Sequence, residues 1–244
     1  MIGRVIAKSE MNIWPKDTSL DNVRALRPMP ILTKCPLCSA DAPHVALQLP
    51  GRTYLRCERC ALVFLHPDHR LRPLQEVLRY LEHENDGANA GYVAFLRQLA
   101  DPLCAVVPLG SHGLDFGCGP APVLGEILTA AGRPTSSWDP LFRPDDALLN
   151  ERYDFVTCCE VVEHAHQPDA LFDRLATLLR PSGTLAVMTR FHPGGLAFDD
   201  WWYRRDPTHV CFFSADTMRW VADRHGWQLA LPAPNVALFT ALSS

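Results

Sequence analysis

The chain has 244 residues, 48% of them hydrophobic, and a formal net charge of −4. That length holds one α/β domain plus a small accessory module, and the mild negative charge excludes a broad electrostatic pull toward nucleic acid. No apolar run reaches the length of a membrane span and no signal-peptide core is recognisable, so a cytoplasmic location is expected.

Residues 1–30 mix charged side chains with short apolar pieces and are expected to be mobile or loosely packed. Residues 31–70 carry the first recognisable chemistry. Cys35-Pro-Leu-Cys38 is followed after eighteen residues by Cys57-Glu-Arg-Cys60. Two such knuckles gather four thiolates into a tetrahedron, which is how structural Zn²⁺ is held. Cysteine at Cys35, Cys38, Cys57 and Cys60 leaves no position open for water, so a structural zinc ribbon is predicted, with strands at 45–49 and 53–56. The nine cysteines suit a reducing compartment, since four are metal ligands and Cys158-Cys159 fall in a strand-like run. A modest excess of arginines could let the ribbon touch RNA. The simpler reading is a solvated docking module.

Residues 71–107 read as helical pieces. Leu74, Val77, Leu78 and Leu81 recur at helical spacing, and a second helix over 92–103 is expected to kink or end at Pro102. A short apolar strand, Leu114 to Phe116, then runs into Gly117 and Gly119, with a helix predicted over 123–131. Strand, glycine turn and helix open a nucleotide-binding sheet: the glycines let a ligand lie against bare main chain, and amides near the helix start can receive a carboxylate or phosphate. A dinucleotide fingerprint wants a third glycine where Pro122 stands, and proline cannot give that close helix–strand contact. Asp139 closes a brief strand over 135–138. An acid at that place accepts ribose hydroxyls whichever nucleotide is bound. Residues 139–153 leave little room for a full helix and strand, so an abbreviated crossover is expected.

Residues 153–159 form a continuous apolar run, as a buried parallel strand should, and lead into Glu160-Val-Val-Glu163-His164. An amphipathic helix over 168–179, a turn at 180–183 and a strand over 184–189 follow. Residues 198–213 are rich in aromatics and contain His209. His209 is the first candidate general base and His164 the second, because an imidazole titrates near neutrality. Ser214 reads as the N-cap of a helix over 215–225 that Gly226 stops, and Pro232 and Pro234 divide two last strands.

Asp115-x-Gly117-x-Gly119 resembles motif I of class I S-adenosylmethionine (SAM) methyltransferases. Glu160-x-x-Glu163-His164 resembles the motif of the ubiquinone-biosynthesis O-methyltransferases. The likeness spans roughly residues 114–190. It implies an α/β fold: a Rossmann-like class I methyltransferase sheet with helices on both faces, over 71–244, with the zinc ribbon in front. It further implies Asp115 near the SAM amino group, Gly117, Cys118 and Gly119 under the methionine moiety, Asp139 at the ribose and Glu160 beside the cofactor. Glu160, Glu163 and His164 would be ligands for Mg²⁺. The helix before motif I would be a lid, with Tyr80, His83 and Tyr92 toward substrate. The implied activity is methyl transfer to a small-molecule acceptor, with oxygen favoured. An RNA methyltransferase, an NAD-dependent oxidoreductase and a non-catalytic SAM-binding scaffold are the alternatives. Nothing in the sequence assigns an oligomeric state.

Overall fold

The computed structural model describes residues 34–82, 87–192 and 198–242. The N-terminal segment 1–30 and His83 lie outside them. Two sheets organise the rest. The larger has six strands in the order β5-β4-β6-β7-β10-β9. These are β4 (Gly113–Phe116), β5 (Thr135–Trp138), β6 (Tyr153–Cys159), β7 (Leu179–Met188), β9 (Trp227–Ala233) and β10 (Val236–Ala241). β5, β4, β6 and β7 run parallel, while β10 is antiparallel to both β7 and β9.

Both faces of this sheet are buried, and the period-2 alternation of the central strands shows why. Ala186, Met188, Val236 and Leu238 pack against α2 (Ala90–Val106) and α3 (Val123–Ala130). Leu185, Val187, Ala237 and Phe239 face the opposite core, with α4 (Pro168–Thr177) and α5 (Ala215–His225). Ser214 caps α5 by accepting from Thr217 N–H, and Gly226 ends it at φ 65°.

The connection between β5 and β6 is a single 3-10 turn, Asp146–Asn150, so that crossover is abbreviated as expected. Two prolines lie inside elements and do not end them. Pro102 lies inside α2, which continues to Val106. Pro232 lies within β9, an edge strand, where a missing N–H costs no ladder bond on the open side. The turn foreseen at 180–183 is absorbed into β7 as an irregularity, with Ser182 left-handed at φ 61°.

The smaller sheet has the order β1-β2-β3-β8, all antiparallel. β1 (His44–Leu49) and β2 (Arg52–Arg56) are the expected ribbon strands. β3 (Val63–Leu65) and β8 (Cys211–Phe212) were not foreseen, and β8 comes from the far end of the aromatic stretch. A two-residue strand paired across some 150 residues of chain has no local signature. Nor is the ribbon merely solvated: Leu37, Tyr54, Leu55 and Phe64 are buried in one core with Phe172, Phe212 and Met218. Its basic excess is partly spent, since Arg52 donates to the Arg204 carbonyl and Arg70 to that of His166.

α1 (Pro73–Tyr80) borders the large cleft, but its leucine stripe turns away from it. Leu74, Leu78 and Leu81 are more than half exposed. The polar face is drawn inward instead: buried Glu76 lies 2.7 Å from His166 Nε2, and Arg79 pairs with Asp206 at 3.1 Å. None of the described helices is long and apolar enough to cross a membrane.

Candidate active site

A cleft of about 1190 Å³ opens at the carboxyl ends of the parallel strands, where ligands of such sheets bind. Asp115, Gly117, Cys118, Gly119 and Asp139 form one side of it, and Glu160, His164, Tyr203 and His209 another. Tyr80 and Tyr92 line it too.

The glycine loop is shaped by backbone need. Gly117 has φ 80° and Gly119 φ 68°, in the left-handed region. A Cβ on Gly117 would lie 2.6 Å from Val161 Cγ2. The amides of this loop are bonded within the protein. Those of Gly117 and Cys118 donate to the Trp138 carbonyl, and that of Gly119 donates to Asp139 Oδ2 at 3.1 Å. The close helix–strand approach denied to Pro122 is supplied by Gly125, whose added Cβ would stand 2.5 Å from Ser137 Oγ. The argument from Pro122 against a dinucleotide therefore loses its force.

Asp139 has a second duty. Its Oδ1 accepts from Leu141 and Phe142 N–H at 2.8 and 3.0 Å, closing the loop after β5. Cys118 is a buried neutral thiol, pushed up to about 12 by burial and then by Asp115. Asp115 is wholly buried, and burial pushes its carboxyl up to about 6, against the Thr157 hydroxyl and Gly125 backbone that pull it down. Ionising it costs the empty protein stability as pH rises from the ordinary carboxylate range through about 6. A ligand ammonium beside it reverses that preference. On the expectation that the SAM amino group binds beside Asp115, S-adenosylhomocysteine (SAH) affinity should rise with pH below about 6 and level off above. Calorimetry between pH 5 and 8 checks this, and Asp115→Asn should flatten the profile.

On the acceptor side, Glu160 follows β6 directly in a left-handed conformation, φ 51°, a strained backbone of the kind that gathers at working sites. Tyr203 was not singled out by the sequence, yet it joins the group. Its hydroxyl lies 2.5 Å from Glu163 Oε1, 3.0 Å from Glu160 Oε2 and 3.2 Å from Thr189 Oγ1. One phenol carries one proton and cannot donate fully to two carboxylates, an arrangement that favours a protonated carboxyl in the pair. Burial agrees, pushing Glu160 up to about 7 and Glu163 well above the carboxylate range.

His164 and His209, from separate segments, meet with ring centroids 4.7 Å apart. His164 Nδ1 lies 3.1 Å from the Thr208 carbonyl and His209 Nδ1 2.7 Å from the Tyr203 carbonyl. A carbonyl only accepts, so both Nδ1 atoms carry a proton, and in the neutral ring Nε2 is then the basic nitrogen. Glu163, His164 and His209 offer ligand atoms within 4.8 Å of one another. This is not the set expected for Mg²⁺, because Glu160 is outside it. Two imidazoles and one carboxylate suit a borderline ion better than one that demands an oxygen octahedron. Mg²⁺ at Glu160, Glu163 and His164 thus finds no support.

The four ribbon sulfurs also converge within 4.8 Å, with Cys35–Cys60 at 3.5 Å and Cys38–Cys57 at 3.4 Å. Zn–S bonds of about 2.3 Å in a tetrahedron put sulfurs roughly 3.8 Å apart, so the set fits Zn²⁺. The two knuckles repeat one turn: Ser39 N–H donates to the Cys35 carbonyl and Ala61 N–H to that of Cys57, with Ser39 and Ala61 left-handed at φ 56° and 58°.

A family model described as a methyltransferase domain matches residues 70–231. A ubiquinone biosynthesis O-methyltransferase of Proteus mirabilis is 29% identical over 132 residues, which are 50% of this chain and 51% of that protein. The chain thus spans about half the length of that curated relative. Among solved structures, the 1,6-didemethyltoxoflavin-N1-methyltransferase of Burkholderia thailandensis, determined with bound 1,6-didemethyltoxoflavin and SAH, superposes with a TM-score of 0.50 at 15% identity, covering 82% of this chain and 99% of that one. With the glycine loop, the strand order and the cleft already pointing the same way, the chain belongs to the methyltransferase-domain family, on the Rossmann-like fold of SAM-dependent methyltransferases.

Proposed function

We propose that the chain moves the methyl group of SAM to a hydroxyl of a small-molecule acceptor. SAM, when bound, supplies a methyl on a sulfonium ion, already activated for displacement. Asp115 is suited to the amino group, Asp139 to the ribose, and Gly117, Cys118 and Gly119 to the methionine portion. The acceptor must lose a proton, and the observation that carries this reading is the imidazole pair, His164 and His209, held through Nδ1 in the cleft. His209, the more exposed, would take the proton as general base, with His164 beside it. Tyr80, Tyr92 and Trp202 line the cleft and offer aromatic faces to a flat acceptor. The oxygen preference draws on the Proteus relative. The test is transfer of labelled methyl from SAM to a panel of phenols, catechols and matched anilines. Turnover on hydroxyl acceptors is expected, and labelling of the amines alone would overturn the oxygen assignment. Labelling of RNA in place of every small acceptor would favour the alternative substrate class.

We further infer structural Zn²⁺ at Cys35, Cys38, Cys57 and Cys60. Metal analysis of the purified protein should give one equivalent of zinc per chain, lost in Cys60→Ser. A second equivalent that disappears in His209→Ala would mark an ion at Glu163, His164 and His209.

A further inference from the structure

We propose that the ribbon is the positioning element of the acceptor site, acting on His209 through the ladder between β3 and β8. This rests on the base role given to His209 above. Val210, the next residue, is held from both sides. Its N–H donates to the Glu163 carbonyl at 2.8 Å, and its carbonyl accepts from Leu65 N–H of β3 at 2.9 Å. Val63 and Phe64 then pair with Phe212 and Cys211. On the other side of His209, the Arg204 carbonyl accepts from Arg52 Nη1 at 3.2 Å. Tyr203, whose own carbonyl orients the His209 ring, precedes Arg204 directly. The ribbon therefore grips the main chain before and after His209, and through Val210 it ties that segment to Glu163, the neighbour of His164. Since both imidazoles are oriented by backbone carbonyls, a small shift of main chain is enough to separate them.

The cofactor half is built differently. Asp115, Gly117, Gly119 and Asp139 stand at the ends of β4 and β5, at one edge of the sheet; Gly117 donates to Trp138, Gly119 to Asp139, and Asp115 accepts from Thr157 of β6. The ribbon's hydrogen bonds named above land on residues 166, 204 and 210–212. A loosened ribbon thus disturbs the imidazole pair and spares the nucleotide side.

The test uses the full chain, loaded with zinc and then stripped by a chelator. Three readouts are taken: SAH affinity by calorimetry, the imidazole ¹⁵N–¹H signals of His164 and His209 by NMR, and kcat on whichever acceptor the labelling panel identifies. Arg52→Ala, which leaves the thiolates intact and removes one grip on Arg204, is run in parallel, because stripping the metal puts at risk the fold of a chain that shares one core. Expected for the stripped protein are SAH affinity within about threefold of the loaded form, displaced imidazole signals and a kcat at least about tenfold lower, restored by Zn²⁺. Arg52→Ala should move the same signals in the same direction, less far. Unmoved imidazole signals in Arg52→Ala overturn the proposal. So does a loss of SAH affinity in step with kcat, which makes the ribbon a general scaffold. The NMR and calorimetric readouts need no acceptor, so an absence of methyl transfer would count against the proposed function and leave this test standing.

Discussion

Replacing His209 with alanine should lower kcat by about 10²- to 10⁴-fold, the usual worth of a general base, while SAH affinity stays within about twofold. The split follows from the layout. His209 takes its orientation from the Tyr203 carbonyl and packs its ring on His164 and Tyr203, across the cleft from the glycine loop. Its loss removes a proton acceptor without touching Asp115, Gly119 or Asp139. His209→Gln keeps a polar side chain but no basic nitrogen, so it should be nearly as slow. Acceptors that arrive already deprotonated should recover most of the rate in both variants. A residue that only packed the loop would show neither the recovery nor the separation of kcat from SAH affinity, and steady-state kinetics with calorimetry reads both.

Gly117→Ala should weaken SAH binding by at least about tenfold. Two costs act together. A left-handed conformation costs an alanine roughly 1–2 kcal/mol over glycine. The new methyl would also stand 2.6 Å from Val161 Cγ2, inside van der Waals contact, in a residue that itself lines the cleft. Either Val161 or the loop must move, and both belong to the nucleotide side. Gly51→Ala is the control. Gly51 is also left-handed, at φ 73°, in the hairpin between β1 and β2, but a methyl there meets nothing within 4 Å. It should lower stability slightly and leave SAH affinity unchanged. Equal affinity losses in the two variants would show that the Val161 contact is not what matters.

The parts legible in the sequence were those that local chemistry dictates. Cys35, Cys38, Cys57 and Cys60 announce themselves by spacing, because a tetrahedral ion needs two tight knuckles. Gly117 and Gly119 mark a turn only glycine makes cheaply, and the apolar runs at β6 and β7 could hardly be anything but buried strands. What escaped is non-local. β8 is two residues long and means nothing until β3 lies beside it. Tyr203 looked like one more aromatic among several, and its place between Glu160 and Glu163 depends on how the segment after β7 folds back. The helical spacing of Leu74, Leu78 and Leu81 was correctly periodic yet pointed the wrong way, since one buried pair, Glu76 with His166, turns the polar face of α1 inward. Gly125 was overlooked because the fingerprint was applied at fixed offsets, while the close approach to Ser137 sits three residues later.

The most direct measurement is calorimetric titration of the full chain with SAH and, separately, with NAD⁺, repeated on Asp139→Asn. Asparagine can still accept from the Leu141 and Phe142 amides that close the loop, while its Nδ2 cannot accept from Gly119 N–H, so the variant removes the charge and that one bond together. One equivalent of SAH bound by the native chain, at least about tenfold weaker binding in Asp139→Asn, and no heat from NAD⁺ is the expected outcome. Binding of NAD⁺ in place of SAH, or SAH affinity indifferent to Asp139, would contradict it.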